Sequence, residues 1–448
     1  MIDLMIKSLI KQAHRVDGMG KKAAESVQMQ AVVITPEGTF KTQGVVGYAE
    51  FGDFVNARTT DAEIKIRMQP SLYMNQILKY KDDIKIQLVT TDLVNRTVME
   101  FVAIPLLDTN PRIEGNNSYH ANIEGISVNT INTYNFQLLE PIFSKMRTVE
   151  ISHISLMGNM ENTISNIIDR ETKNAIIDTT YKYDGLVMDS PVDNDTTYKA
   201  VVVREGIKAI NLPVFLQFDE RYGVYNTGLG FYFKQRRWWC YKLYDLKKYD
   251  SAPKTIDIMR LPNDRAPSLE YTFFVNPDKL TILSTGDAKH DDGTDIVKQN
   301  EGVGKRLIQP SLISGETGLH VNAGRAVKTR VDSMAEYATA QRRSGDDYIP
   351  LDQIPSANIY KNVTTNAVMD GSVLYIPWHC GDPGYLQPGA AVKYMFMGDS
   401  ERMEERKGIL LGYRMDTRVV DNMTLVMKRT VTLIVFLSKS KDENSGIN

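Results

Sequence analysis

Apolar and polar residues alternate along much of this chain, and the longest alternating stretch lies near its C-terminus. From Ile409, the residues Ile409, Leu411, Tyr413, Met415 and Val419 share one side of an extended chain, while Gly412, Arg414, Asp416 and Arg418 share the other. Beyond Asp421-Asn422 the apolar side resumes with Leu425, Met427, Val431, Leu433, Val435 and Leu437. A period of two marks a strand with one buried face. Both segments exceed the usual strand length of about 3 to 10 residues. The pattern predicts a long hairpin that closes a barrel or leaves the domain as an arm. Arg429 interrupts its apolar side. A charge inside a small filled barrel needs a partner, whereas on a ring of barrels the same position could face a neighbour or a lumen.

The rest of the chain divides by its periodicity. Ile2, Met5, Ile6, Leu9, Ile10 and Ala13 form an apolar stripe at helical spacing, so residues 1–30 are read as an N-terminal amphipathic helix broken at Gly18 and Gly20. Docking on its own chain or a neighbouring subunit suits such a stripe; a membrane surface would favour Trp or Phe anchors, which it lacks. Residues 31–142 read as β, most cleanly at Asp61 to Met68, then at Ile84, Ile86 and Leu88 and from Thr97 to Ile104, with a helical corner near Leu72 to Leu78. Short strands joined by polar turns, without intervening long helices, predict an antiparallel barrel or sandwich.

Residues 143–345 read as a mixed α/β region. Ile164, Ile167 and Ile168 mark a helix that Asn159 could cap. Leu212-Pro213-Val214-Phe215, Gly228 to Phe233 and Trp238 to Asp245 look strand-like, and Leu269 to Leu283 gives another β run with a turn at Asn276-Pro277-Asp278. Asp287 to Gly304 reads as a mobile loop, and Val327, Val331, Met334 and Ala338 predict a long helix over 325–343. Residues 346–448 return to β. The expected fold class is mainly β with α/β insertions.

At 448 residues the chain is long enough for two to four domains. A formal net charge of −2 argues against a strongly nucleic-acid-binding surface. Two cysteines, Cys240 and Cys380, cannot by themselves supply a disulfide framework or a tetrahedral zinc site. No run of 18 or so apolar residues suggests a membrane span, and Lys7 and Lys11 stand where a signal peptide would need its apolar core.

No motif for chemistry is complete. Gly302-Val303-Gly304-Lys305-Arg306 lacks the first glycine and the final Ser or Thr of a phosphate loop. Asp287 to Gly293 has the composition of a calcium loop but puts Lys289 at a ligand position. Gly398-Asp399-Ser400-Glu401-Arg402 carries Arg where a nucleophile elbow needs Gly. His379 and Cys380, adjacent on an extended segment, point to opposite faces. Trp238 and Trp239 are candidate interface residues, with Arg429: on an alternating strand one Trp faces a core and the other a neighbour, although the pair could also stack on bases or sugars. These gaps favour a structural protein over an enzyme, and no cofactor or metal is expected.

Three stretches resemble the baseplate hub proteins of contractile-tailed bacteriophages and related injection machines. They are Tyr73 to Leu88, the segment Arg325 to Arg343, and Leu386-Gln387-Pro388-Gly389-Ala390-Ala391-Val392 followed by Gly408-Ile409-Leu410. The resemblance implies two tube-like barrels per subunit, here 31–142 and 346–448, in a homotrimer forming a pseudo-sixfold ring. It implies a virion component, assembled in the host cytoplasm, that joins a sixfold tail tube to a threefold spike among other baseplate proteins and lets the genome pass without gripping it. A tail-tip receptor- or glycan-binding protein and a tail-associated cell-wall hydrolase are the alternatives.

Overall fold

The computed structural model of the chain describes residues 20–22, 27–91, 96–106, 131–219, 221–261, 271–291, 305–308, 317–322, 325–330, 348–350, 371–397, 403–421 and 426–438. The N-terminal alternation becomes six main strands, β1 (Val27–Thr35), β2 (Gly44–Asp53), β3 (Asp61–Met68), β4 (Lys85–Thr91), β5 (Arg96–Pro105) and β6 (Asn132–Leu139), with a short strand, Gly38–Lys41, paired to β1. In β3 the residues Ala62, Ile64, Ile66 and Met68 are buried while Asp61, Glu63 and Lys65 are exposed. That division is what a strand with one wet face requires. Between β3 and β4 a helical corner, Pro70–Leu72 continuing as Tyr73–Leu78, tucks Tyr73 and Ile77 into the core. Tyr73 stacks on Tyr134 with ring centroids 3.8 Å apart.

A middle module follows. It holds helices α1 (Pro141–Met146), α2 (Met160–Ala175) and α3 (Leu212–Phe218), with strands β7 (Glu150–Gly158), β8 (Tyr198–Lys208), β9 (Leu229–Lys234) and β10 (Arg237–Lys242). The Asn159 side chain caps α2 by accepting the Asn162 N–H at 2.8 Å, and Ile164, Ile167 and Ile168 are buried on its inner face. The expected strand at Leu212 to Phe215 is instead the start of α3. Pro213 stands in its first turn, where a missing N–H leaves no helical bond unmade. Gln217 then fixes the following loop by accepting the N–H groups of Val224 and Tyr225, each at 3.0 Å, and donating to the Tyr225 carbonyl at 2.9 Å.

The remaining main strands are β11 (Thr255–Leu261), β12 (Lys279–Thr285), β13 (Gly371–His379), β14 (Ala391–Met397), β15 (Met403–Asp421) and β16 (Val426–Ser438). Their pairings make one closed circuit and a second run of strands, and the two share one hairpin. The first is wholly antiparallel and runs β15, β2, β3, β6, β5, β4, β1, β16 and back to β15. The second runs from β12 through β11, β14, β15 and β16 to β13, with no strand pairing between its two ends, β12 and β13, among the described residues. In it β11 lies parallel to both neighbours, so antiparallel pairing is not general. The Ser284 hydroxyl donates to the Pro377 carbonyl at 2.6 Å and brings β12 against β13. Buried residues of the circuit and the run form one hydrophobic cluster.

The division into barrels of 31–142 and 346–448 is therefore not what the chain builds. The C-terminal hairpin completes the first barrel, and Thr255 to Thr285 supplies two strands of the second. The junction lies at a bulge. Leu410 pairs with Val435 and Gly412 with Ile434, leaving Leu411 as the extra residue. On one side of the bulge β15 pairs with β14, on the other with β2. The Leu411 carbonyl accepts the Phe54 N–H at 2.9 Å, and the Leu410 N–H donates to Ala390 at 2.9 Å. An extra residue reverses the alternation. Ile409, expected beside Tyr413, is opposite Phe436 on the other face, where Tyr244 covers Phe436 at 5.0 Å.

Two helical expectations change. Arg325–Arg330 is a strand paired with Thr317–Asn322 in a small separate sheet. Arg-Ala-Val-Lys-Thr-Arg carries the β-branched residues Val327 and Thr329 two apart, a spacing that suits a strand; 331–343 lie outside the described residues. Gly20–Lys22 and the start of β1 are strands within the segment 1–30, whose first 19 residues lie outside the described set. No described helix is long and apolar enough to cross a membrane.

The hairpin's close approach to β2 is testable. A Cβ on Gly412 would stand 2.3 Å from the Gly52 carbonyl oxygen, whereas one on Gly47 would make an ordinary 3.5 Å contact with Lys65. Gly412→Ala is expected to destabilise the chain by about 1–3 kcal/mol in urea unfolding, the usual cost of overpacking. Gly47→Ala should stay within about 0.5 kcal/mol.

Candidate functional site

The middle module is inserted between β6 and β11, and its hairpin β9–β10 serves as a wall common to two cores. Phe231, Phe233, Trp238 and Cys240 point into the module's own core. Tyr232, Tyr241 and Leu243 belong to the barrel core. Alternation alone produces this arrangement, because successive side chains of a strand take opposite faces.

The turn of that hairpin wedges into the barrel junction. Lys234, only 6% exposed, donates from Nζ to the carbonyls of Pro383 at 2.7 Å and Leu386 at 2.9 Å. Its ammonium also lies 4.7 Å from the Tyr413 ring centroid and 5.8 Å from that of Phe54, a favourable placement for a desolvated cation. Leu386 opens the Leu-Gln-Pro-Gly stretch. Gly389 adopts φ +63°, and a Cβ there would stand 2.1 Å from the Tyr241 ring. The Gly389 carbonyl accepts from Lys248 Nζ at 2.9 Å, and that lysine also pairs with Asp189. Two lysines of the middle module thus tie down the loop that feeds β14.

Gln235 and Arg236, the turn residues, have φ of +55° and +63°. For residues with a side chain such backbone costs on the order of 1–3 kcal/mol each and persists only where surroundings hold it. Glu140 lies close by, where the backbone N–H groups of both residues favour the charged form of its carboxyl. The Gln235 side-chain amide donates to the Gly384 carbonyl, and Arg236 pairs with Asp184 at 3.0 Å. Glu140 immediately follows β6 and precedes Pro141 of α1, so it sits where the chain first crosses from barrel to module.

The seam is electrostatically loaded. Burial pushes the Glu140 carboxyl up to about 7, against the two N–H groups and Lys234, which favour its charged form. Burial pulls Lys234 down to about 8, against the carboxylates of Glu50, Glu140 and Asp382. Glu50 accepts the phenols of Tyr413 at 2.9 Å and of Tyr48. Burial first, then Glu50, raises both phenols well above the usual range. Between the ordinary carboxylate value of 4.5 and about 7, folded Glu140 holds more protons than unfolded, so its contribution to stability falls as pH rises through that window. Between 10.5 and about 8, folded Lys234 holds fewer, so its contribution falls as pH drops. The two costs meet between about pH 7 and 8, where both groups are charged.

Of the three residues singled out in sequence, Trp238 is fully buried in the module. It stacks on Phe231 at 4.7 Å, and its Nε1 donates to the Thr172 hydroxyl at 3.0 Å. It offers no surface to a base, a sugar or a partner. Trp239 takes the opposite face, half-buried against the barrel core, with its Nε1 donating to the Lys234 carbonyl at 3.3 Å. Arg429 stands on β16 opposite Thr417, a fully buried residue, and its Nη1 donates to the Gly381 carbonyl at 3.4 Å. The three do not form one patch. Large exposed apolar side chains lie elsewhere, at Ile154, Leu156 and Met157 on β7.

The incomplete motifs also find their places. Lys305 and Arg306 begin a strand paired with Leu319 to Val321 rather than a loop entering a helix. Lys289–Asp291 is a strand paired with β13, and Asp287 pairs with Arg260 at 2.7 Å, so part of the expected mobile loop is ordered into sheet. Among the described residues no three His, Cys, Asp or Glu side chains are grouped to hold a metal. Sequence reasoning missed Glu140, Glu50 and Lys234. The four-residue polar break Lys234 to Arg237 between two aromatic strands was a hairpin signal, but nothing local to Glu140 or Glu50 links them to it.

No family model matches the sequence, and no curated protein matches it. Among solved structures, the tail protein from Neisseria meningitidis MC58 is similar over 91% of this chain and 96% of its own, at 10% identity and a TM-score of 0.45. The 43 kDa tail protein of prophage MuSo2 from Shewanella oneidensis is similar over 91% of this chain and 98% of its own, at 8% identity and a TM-score of 0.42. The Francisella PdpA–VgrG complex in its lidded form is similar over 97% of this chain and 56% of that chain, at 8% identity and a TM-score of 0.41. At these values the likenesses assign no activity to the present chain.

Trp238→Ala is expected to lower unfolding stability by about 3–5 kcal/mol, as for other buried aromatics. Trp239→Ala should cost less than half as much. Equal losses in urea titrations of the two variants would contradict the opposite-face placement.

Proposed function

We propose that this chain is a structural subunit of a phage-type tail baseplate: a hub that assembles as a homotrimer and joins a sixfold tail tube to a threefold central spike. The observation that carries this reading is the pair of barrels built on one hairpin, β15–β16. Three copies of a two-barrel subunit present six similar walls around an axis, which is the geometric problem a three-to-six adaptor must solve. The Leu386 to Gly389 stretch and the strands after it, which carry the sequence resemblance, are the part of the chain that joins the two barrels.

In this reading the role is non-enzymatic. The partners are the tube protein, the spike or puncturing protein and other baseplate proteins, and the location is the virion tail after assembly in the host cytoplasm. A net charge of −2 suits a lumen that lets a genome pass without gripping it. The glycan-binding alternative, built on Trp238 and Trp239, loses its premise because Trp238 is buried.

The isolated chain at micromolar concentration is expected to give a native mass three times 50.6 kDa. A monomer or a dimer in native mass spectrometry, with no trimer on raising concentration, would overturn the hub assignment.

A further inference from the structure

Arg429 brings a charge to the inner face of the hairpin at a place where the ladder changes hands. The edge of β16 that faces away from β15 pairs with β13 as far as Thr430 and with β1 at Met427 and Val426, so it changes partner across Lys428 and Arg429. Tyr48, Thr417 and Arg429 stand directly opposite one another in a row across β2, β15 and β16. Such neighbours keep their side chains on one face, with Cβ atoms about 4.5–5.5 Å apart. Trp378 is opposite Val431, on the same face two residues along from Arg429. Its ring lies against Gly381, where a Cβ would stand 2.3 Å from it, and the Gly381 carbonyl accepts from Arg429 Nη1 at 3.4 Å.

Three buried donors lie together here without acceptors. Arg429 Nε, the Thr417 hydroxyl and Trp378 Nε1 make no hydrogen bond, and Thr417 and Trp378 are fully buried. Among the described residues no carboxylate pairs with Arg429. Glu50, two residues along β2 from Tyr48, gives its oxygens to the phenols of Tyr48 and Tyr413. Asp416 points to the opposite face from Thr417 and pairs with Arg418. The Arg and Trp nitrogens only donate, and a hydroxyl donates as well. A water would accept two such bonds and then need acceptors for its own hydrogens. A monatomic anion accepts all three and supplies the counter-charge that a half-buried guanidinium requires. We propose that Thr417, Arg429 and Trp378 hold a chloride-sized anion at the point where β16 passes from β13 to β1. The ion ties the end of β13 to the shared hairpin, whatever the assembly in which the chain serves.

The test is urea unfolding of the full chain at one protein concentration, with sodium gluconate replaced stepwise by sodium chloride. A constant ionic strength keeps the screening of surface charges equal throughout. The folding constant is expected to rise at least about threefold as chloride goes from about 30 to about 300 mM, which linkage to one site with a Kd of about 0.1 M or tighter requires. Arg429→Gln removes the charge and Nε; Thr417→Val keeps the shape and removes the hydroxyl. Each should weaken that rise. A wild-type constant that does not respond to chloride overturns the site. A response that either variant keeps at full strength overturns it too, because the ion then binds elsewhere. If Arg429→Gln does not fold, Thr417→Val decides alone.

Discussion

One antiparallel ladder, Met403–Asp421 against Val426–Ser438, supports everything else in this molecule. Its apolar side supplies interior to both barrels: Tyr413, Met415 and Met427 to the first, Leu410, Val435 and Leu437 to the second. A long strand pair can serve two barrels only if its outer edges change partners part-way. The bulge at Leu411 makes that change, handing β15 from β14 to β2 and turning the alternation over by one residue. Glycines at 408 and 412 let neighbouring backbones approach closer than any side chain would permit. Burying such a ladder on one face ties distant parts of the sequence into one core, so neither barrel is complete without the other's strands.

The middle module is fastened to that core by alternation and charge together. Hairpin β9–β10 gives Trp238 and its aromatic neighbours to the module and Tyr232 and Tyr241 to the barrels. Its turn then carries Lys234 into the junction, where its ammonium donates to the Pro383 and Leu386 carbonyls. A buried polar cluster of this kind contributes less to net stability than an apolar one of equal volume would. The ammonium bonds of Lys234 fix the turn against the loop that feeds β14.

Much of the fold was legible because period-two patterning survives wherever one face of a strand is wet. Asp61 to Met68 follows it throughout and the two long C-terminal segments follow it beyond the bulge at Leu411, while the Asn159-capped helix is marked by its own helical spacing. Misreadings came where other constraints prevailed. Leu212 to Phe215 looked like a strand because its apolar run is continuous, although Pro213 equally suits the first turn of the helix it starts. Arg325 to Arg330 carried both a helical and a strand period, and pairing with Thr317 to Asn322 decided it. The assignment of strands to barrels was not legible, since no local feature of Thr255 to Leu261 reveals that it pairs with residues more than a hundred positions later. The seam was hidden for the same reason: Glu50, Glu140 and Lys234 are far apart in sequence and join only through topology.

The central claim is that the two barrels on one hairpin repeat around a threefold axis. Electron cryomicroscopy of the purified oligomer, reconstructed without imposed symmetry, tests it most directly. The account predicts three subunits with six barrels alternating around an open lumen, β15–β16 crossing between the two barrels of each subunit. A reconstruction with another symmetry, or with barrels facing away from any common axis, would contradict it.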